Sequence, residues 1–164
     1  MILNRQREVR VARGPLEVFL RRVQKELGMS GEELSICFVS DAEIARMNKT
    51  FRKKNGPTDV LSFPVVSRKS HRRRGFGLAK LSPNRRTSKS AKNSPDTARR
   101  HLGDIAISPA TAKRNAAQHQ RTFAGELRIL VLHGVLHLLG YDHETDRGEM
   151  DRVESRLRQK FGLE

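Results

Sequence analysis

Apolar positions recur along this chain with two different rhythms, and each rhythm predicts its own elements. Leu16, Phe19, Leu20, Val23 and Leu27 fall at helical spacing, so Pro15 to Leu27 is predicted to be a helix, with Pro15 suited to the first turn and Gly28 to the stop. Ile2 to Val11 is mixed and has room for a short first strand. Leu34 to Val39, Thr58 to Pro64 and Leu102 to Ile107 read as further strands, the second set off by Gly56-Pro57. Ser40-Asp41-Ala42-Glu43 has the form of a capping box and predicts a helix over Ile44 to Phe51. Ser108-Pro109 supplies an N-cap and a first-turn proline for a helix running to about Arg121.

Phe123 to Leu139 is the predicted central helix. Leu127, Leu130, Val131, Val135 and Leu138 form one apolar face, and Ile129, Leu132, Leu136 and Leu139 nearly complete the circle. A helix apolar on most sides belongs in the interior. At about 100° per residue the remaining sector holds Glu126, His133 and His137, which burial elsewhere would aim into a pocket. Thr145 to Phe161 is amphipathic through Met150, Val153, Leu157 and Phe161 and predicts the last helix. Strands interspersed with helices, closing with consecutive helices, imply one α+β domain: a small mixed sheet of about four strands covered by helices.

Composition alters this picture at one place. The formal net charge is +15, and twelve Lys and Arg face one acid, Asp96, between Ser67 and His101, so eleven of the fifteen charges sit there. The segment is also rich in Ser, Asn, Gly and Pro, which predicts a disordered or loosely held basic insertion at 67–101 within a single domain spanning 1–164. Such charge suits a polyanion, a nucleic acid or an anionic membrane surface, and Arg72, Arg73, Arg74, Arg85 and Arg86 are the candidate contacts. One cysteine, Cys37, forbids an internal disulfide and is expected to be a buried, inert thiol. The charged N-terminus has no apolar signal core, and the longest apolar stretch is too short to span a bilayer. A soluble cytoplasmic protein with no membrane partner is expected.

The chemistry concentrates in His133-Gly134-Val135-Leu136-His137-Leu138-Leu139-Gly140-Tyr141-Asp142-His143. His133 and His137 lie one turn apart on one side of a helix, and Gly140 lets the chain turn so that His143 can return as a third ligand. Three imidazoles with one position left for water describe a catalytic Zn2+ site, one ion per chain, better than a closed structural one. The offsets match the zinc-protease pattern His-Glu-x-x-His-x-x-Gly-x-x-His except at Gly134, where those enzymes keep their general base. A three-imidazole site also accepts nickel, cobalt or copper. Glu126, two turns before His133, is a candidate to orient a ligand histidine or shuttle a proton. Asp146 is expected to favour the N-terminus of the last helix, Tyr141 to line the pocket or pack, and His71, His101 and His119 to be solvated.

Together with Pro57-Thr58-Asp59-Val60-Leu61-Ser62-Phe63-Pro64 and Leu102-Gly103-Asp104-Ile105, this motif resembles the YbeY family of bacterial endoribonucleases. The resemblance runs from about Leu34 to Phe161 apart from the insertion, which stands where the family usually has a short loop. It implies zinc on His133, His137 and His143, an active-site arginine at Arg52, and a single-strand-specific endoribonuclease acting in ribosomal RNA maturation (late 16S processing) and ribosome quality control. Ribosomal RNA, ribosomal subunits or their proteins would be its partners, with Arg72, Arg73, Arg74, Arg85 and Arg86 as the candidate RNA contacts. Zinc could lower the pKa of its bound water toward neutrality, or polarise a phosphoryl oxygen while the ribose 2′-hydroxyl attacks. In either route a guanidinium would stabilise charge building up at phosphorus. The alternatives are a zinc metallopeptidase-like hydrolase and a non-catalytic ribosome assembly factor with a structural metal. Oligomeric state stays open.

Overall fold

The computed structural model describes residues 1–65, 100–143 and 146–163. Four strands, β1 (Ile2–Asn4), β2 (Glu32–Phe38), β3 (Val60–Pro64) and β4 (Arg100–Ile107), form one sheet in the order β1-β2-β4-β3. β1 and β4 run parallel to β2, and β3 pairs antiparallel with β4, so the sheet is mixed, as expected. Among the described residues five α-helices accompany it: α1 (Arg13–Glu26), α2 (Asp41–Met47), α3 (Pro109–Gln118), α4 (Phe123–Leu138) and α5 (Glu149–Phe161).

The two-residue period of the strands sorts the core. Leu34, Ile36, Phe38, Ile105 and Ile107 point into the main cluster with α1, α4 and α5. Ala106, Leu61 and the half-buried Cys37 and Phe63 turn to the other face, against Ile44 and Met47 of α2. Burial pushes the Cys37 thiol up, so it stays protonated at neutral pH. Most of α4 is buried, as its all-round apolar pattern requires.

Both caps form as the sequence indicates. Ser40 and Glu43 close a reciprocal capping box on α2, and Ser108 accepts from the Thr111 amide at the start of α3. The two helix starts are then tied together, because Asp41 accepts from Ser108 Oγ, from Thr111 Oγ1 at 2.8 Å and from Arg114 at 2.8 Å. Partial burial disfavours the Asp41 carboxylate, but these hydrogen bonds and the Arg114 charge outweigh it and hold the carboxyl below its ordinary value.

Several element boundaries differ from the sequence reading, and three of the differences bear on the site or its flanks. The helix expected over Ile44 to Phe51 ends at Met47 and widens into a π-helical turn, Asn48–Arg52. Asn48 explains the change: its buried side chain donates to the Gly56 carbonyl at 3.0 Å, folding the following loop back on itself. The last helix starts at Glu149 rather than Thr145, because the Asp146 carboxylate accepts from the amides of Gly148, Glu149 and Met150 and so lies outside it. Asp146 thereby serves the helix N-terminus as expected. Strand β4 begins at Arg100, two residues earlier than read from the sequence, which takes Arg100 and His101 out of the insertion and into the sheet. The rest of that segment, with Arg72, Arg73, Arg74, Arg85, Arg86 and His71, lies outside the described residues.

Candidate metal centre

His133 and His137 come from the last two turns of α4, and His143 follows in the turn beyond it. Gly140 makes that turn possible with φ near +89°, a conformation that a residue with a Cβ rarely adopts. The chain therefore folds back, and one ligand atom of each of the three histidines lies within 4.8 Å of the others. The His133 and His143 rings stack with centroids 5.3 Å apart, while His137 meets both edge-on.

His133 Nε2 faces His137 Nε2 at 3.1 Å. Two nitrogens bound to one tetrahedral zinc, each at about 2.0–2.1 Å, would lie about 3.3–3.4 Å apart. The pair is thus spaced for a shared cation with little rearrangement. Protonation also favours this, since burial, followed by the His133 charge, lowers the His137 pKa and keeps its imidazole neutral at neutral pH. The donor set fits a divalent ion that accepts imidazole nitrogen.

Two carboxylates that the sequence reading did not single out reach this cluster from α5. Glu154 Oε2 lies 3.0 Å from His133 Nδ1, and Asp151 Oδ1 lies 2.8 Å from His143 Nδ1. Glu154 is buried, and its other oxygen accepts from Arg158. Burial alone would raise its pKa, but the His133 hydrogen bond and the His133 and Arg158 charges outweigh that and hold the carboxyl low. One signal was present in the sequence. Glu154 follows Met150 by four residues and precedes Leu157 by three, so it interrupts the apolar stripe of an amphipathic helix. His133, His143, Asp151, Glu154, Ser155 and Arg158 line a small cleft of about 190 Å³. A larger hollow of about 630 Å³, bordered by Met1, Gln24, Glu32 and His101 among others, is lined by none of the candidate site residues.

The other candidates are placed as follows. Glu126 is buried in the first turn of α4 and pairs with Arg121 at 3.3 Å, about 10 Å along the helix from His133. Arg52 is exposed at the end of the π-helical turn, next to Lys53 in the left-handed conformation. Neither lines the cleft. Tyr141 packs against the core. His101 is exposed and sits 3.2 Å from Asp104.

Gly134 has a packing role. A Cβ built there would fall 2.9 Å from Ile105 Cγ2 and 3.0 Å from Cδ1, so α4 presses on strand β4 at this point. Ser62 Oγ of β3 donates to the Gly134 carbonyl at 3.2 Å on the same side. A glutamate at 134 would start from a Cβ aimed into the sheet, so the position where zinc proteases carry their base is occupied here by helix–sheet contact.

The chain is similar to known proteins along nearly its whole length. A family model described as Endoribonuclease YbeY matches residues 2–162. Endoribonuclease YbeY of Solibacter usitatus is 40% identical over 151 residues, covering 92% of this chain and 80% of that protein. Its counterpart from Koribacter versatilis is 36% identical over 163 residues, covering 99% and 86%. The solution structure of TM1509 from Thermotoga maritima shares the fold, with a TM-score of 0.50 and 24% identity over 99% of this chain and 90% of that one. With its family match running almost end to end over a sheet, a buried helix and a three-histidine cluster, the chain belongs to the YbeY endoribonuclease family.

Proposed function

We propose that this protein is a zinc-dependent, single-strand-specific endoribonuclease that acts on ribosomal RNA during its maturation, in the cytoplasm, with ribosomal subunits or their proteins as partners. The observation that carries the reading is the group of three histidines, one of them exposed beside a cleft, with neutral-favouring surroundings at His137. A zinc ion held by His133, His137 and His143 would supply Lewis-acid chemistry, acidifying a water or polarising a phosphoryl oxygen. The protein's own groups do the rest. Arg52 would hold a non-bridging phosphate oxygen by paired hydrogen bonds as charge builds at phosphorus. Among the described residues no helix is long and apolar enough to cross a membrane.

The peptidase alternative loses its support at position 134, where a side chain would meet Ile105. The endoribonuclease reading is tested by incubating a ribosomal RNA fragment with purified protein and with His137→Ala prepared in parallel, measuring cleavage and bound metal together. Loss of both in the variant, with its fold retained, is the expected result. Equal cleavage by the two preparations would refute the assignment. Arg52→Ala should lower cleavage while keeping the metal; full activity would remove Arg52 from the reaction.

The basic insertion is read as an arm that grips RNA phosphates without reading sequence. Pro64 pairs with Gly103 and the Val65 amide donates to the Leu102 carbonyl at 2.8 Å, so the β3 and β4 ends that flank the insertion are adjacent. Replacing residues 67–99 by a short Gly/Ser turn should therefore spare the fold while weakening RNA binding and flattening its salt dependence. An unchanged salt slope would count against the arm.

A further inference from the structure

We propose that Glu154 is a positioning residue for the metal centre: its carboxylate fixes the tautomer and ring orientation of His133, and so couples the docking of α5 to metal binding. The inference rests on the reading that the three histidines hold a metal. A neutral imidazole carries one proton, and the carboxylate 3.0 Å from His133 Nδ1 draws that proton to Nδ1. The lone pair is left on Nε2, the nitrogen that faces His137 Nε2 at 3.1 Å. A histidine free to rotate or change tautomer would present the wrong atom part of the time. This partner removes that freedom.

Three further observations support the role. Glu154 is the buried member of the set, with a side chain only 7% exposed, and a carboxylate is placed there at a cost unless its partners recover it. Those partners are His133 on one oxygen, which also lies 3.8 Å from His143 Nε2, and Arg158 on the other, so the carboxylate is held from both sides. Asp151, three residues earlier on the same face of α5, repeats the contact at His143 with 2.8 Å. Ligands thus come from α4 and the turn after it, while the carboxylates beside His133 and His143 come from α5. Metal binding and the seating of α5 against α4 then reinforce one another, because a metal that binds only the seated arrangement stabilises it by mass action.

The test compares wild type, Glu154→Ala and Glu154→Gln. The readouts are zinc affinity by chelator competition, the visible spectrum of the cobalt-loaded proteins, and amide exchange in α5 with and without metal. Glu154→Ala should bind zinc about 10- to 100-fold more weakly. It should also show an altered cobalt spectrum and a smaller metal-induced gain of protection in α5. Glu154→Gln should recover part of the affinity, because its amide oxygen still accepts from Nδ1–H without the charge. Wild-type affinity and spectrum in Glu154→Ala would overturn the proposal. If that variant does not fold, Glu154→Gln decides alone: several-fold weaker binding is expected, and values equal to wild type overturn it. Failure of the wild-type protein to take up any divalent ion would instead refute the metal reading on which this rests.

Discussion

Helices α4 and α5 meet at the same centre but contribute to it in different ways. Helix α4 is apolar around most of its circumference, and it exposes two histidines one turn apart where its buried faces leave a gap. Helix α5 is amphipathic and brings two carboxylates, Asp151 and Glu154, to rings that belong to the preceding segment. The histidines follow from local spacing, since residues four apart on a helix share a side. The carboxylates reach their partners across eight residues for His143–Asp151 and twenty-one for His133–Glu154, and only packing brings them together. The three histidines that could hold a metal are a property of one helix and its turn; their orientation is a property of two packed elements.

The contrast can be broken most severely on the α4 side. His133→Ala removes a candidate ligand and leaves the buried Glu154 with only one of its two hydrogen-bond partners, Arg158. Metal binding should be lost and RNA cleavage should fall by about a thousandfold or more. The fold should also lose about 1–3 kcal/mol, read from denaturant unfolding. An enlarged group at Gly134 acts on packing instead. Alanine there gains about 1 kcal/mol in helix propensity but crowds Ile105 at a cost of about 1–3 kcal/mol, so a net loss of up to about 2 kcal/mol is expected. Combining Gly134→Ala with Ile105→Val, which removes one of the crowding methyls, should restore part of it, and purely additive losses would argue against the contact.

On the α5 side the effects should be smaller. Asp151 is 71% exposed, so Asp151→Ala should weaken metal binding by about fivefold or less, the scale of a solvated pair. A loss as large as that of His133→Ala would erase the distinction between ligand and orienting group. The smallest effect belongs to Asp41, outside both helices. Its folded carboxyl lies below the usual value, so its contribution is present above the unfolded value of about 3.9 and disappears as pH falls through the folded one. Asp41→Asn should flatten the acid limb of a stability–pH curve without changing metal affinity.

How far the sequence could be read depended on the range of the interaction concerned. The capping box at Ser40, the Ser108-Pro109 start and the buried circumference of α4 each express contacts within a turn or two, and each is found where the sequence put it. The π-helical turn after Met47 was not readable, because it depends on Asn48 reaching Gly56. Nor was the true start of α5, which depends on how Asp146 gathers three amides. Glu126 shares a helical sector with His133 and His137, yet its charge is met by Arg121, and the carboxylate at His133 comes from a residue that periodicity alone would class as part of an apolar stripe.

The chain by itself therefore determined which three histidines can converge, since i, i+4 spacing and a glycine turn are local geometry. It also determined the α+β class, since strand and helix periods are local patterns. Tertiary structure decided which groups hold those rings in place and why Gly134 carries no side chain. Both depend on how closely α4 approaches α5 on one side and β4 on the other, a distance set by side chains far apart along the chain.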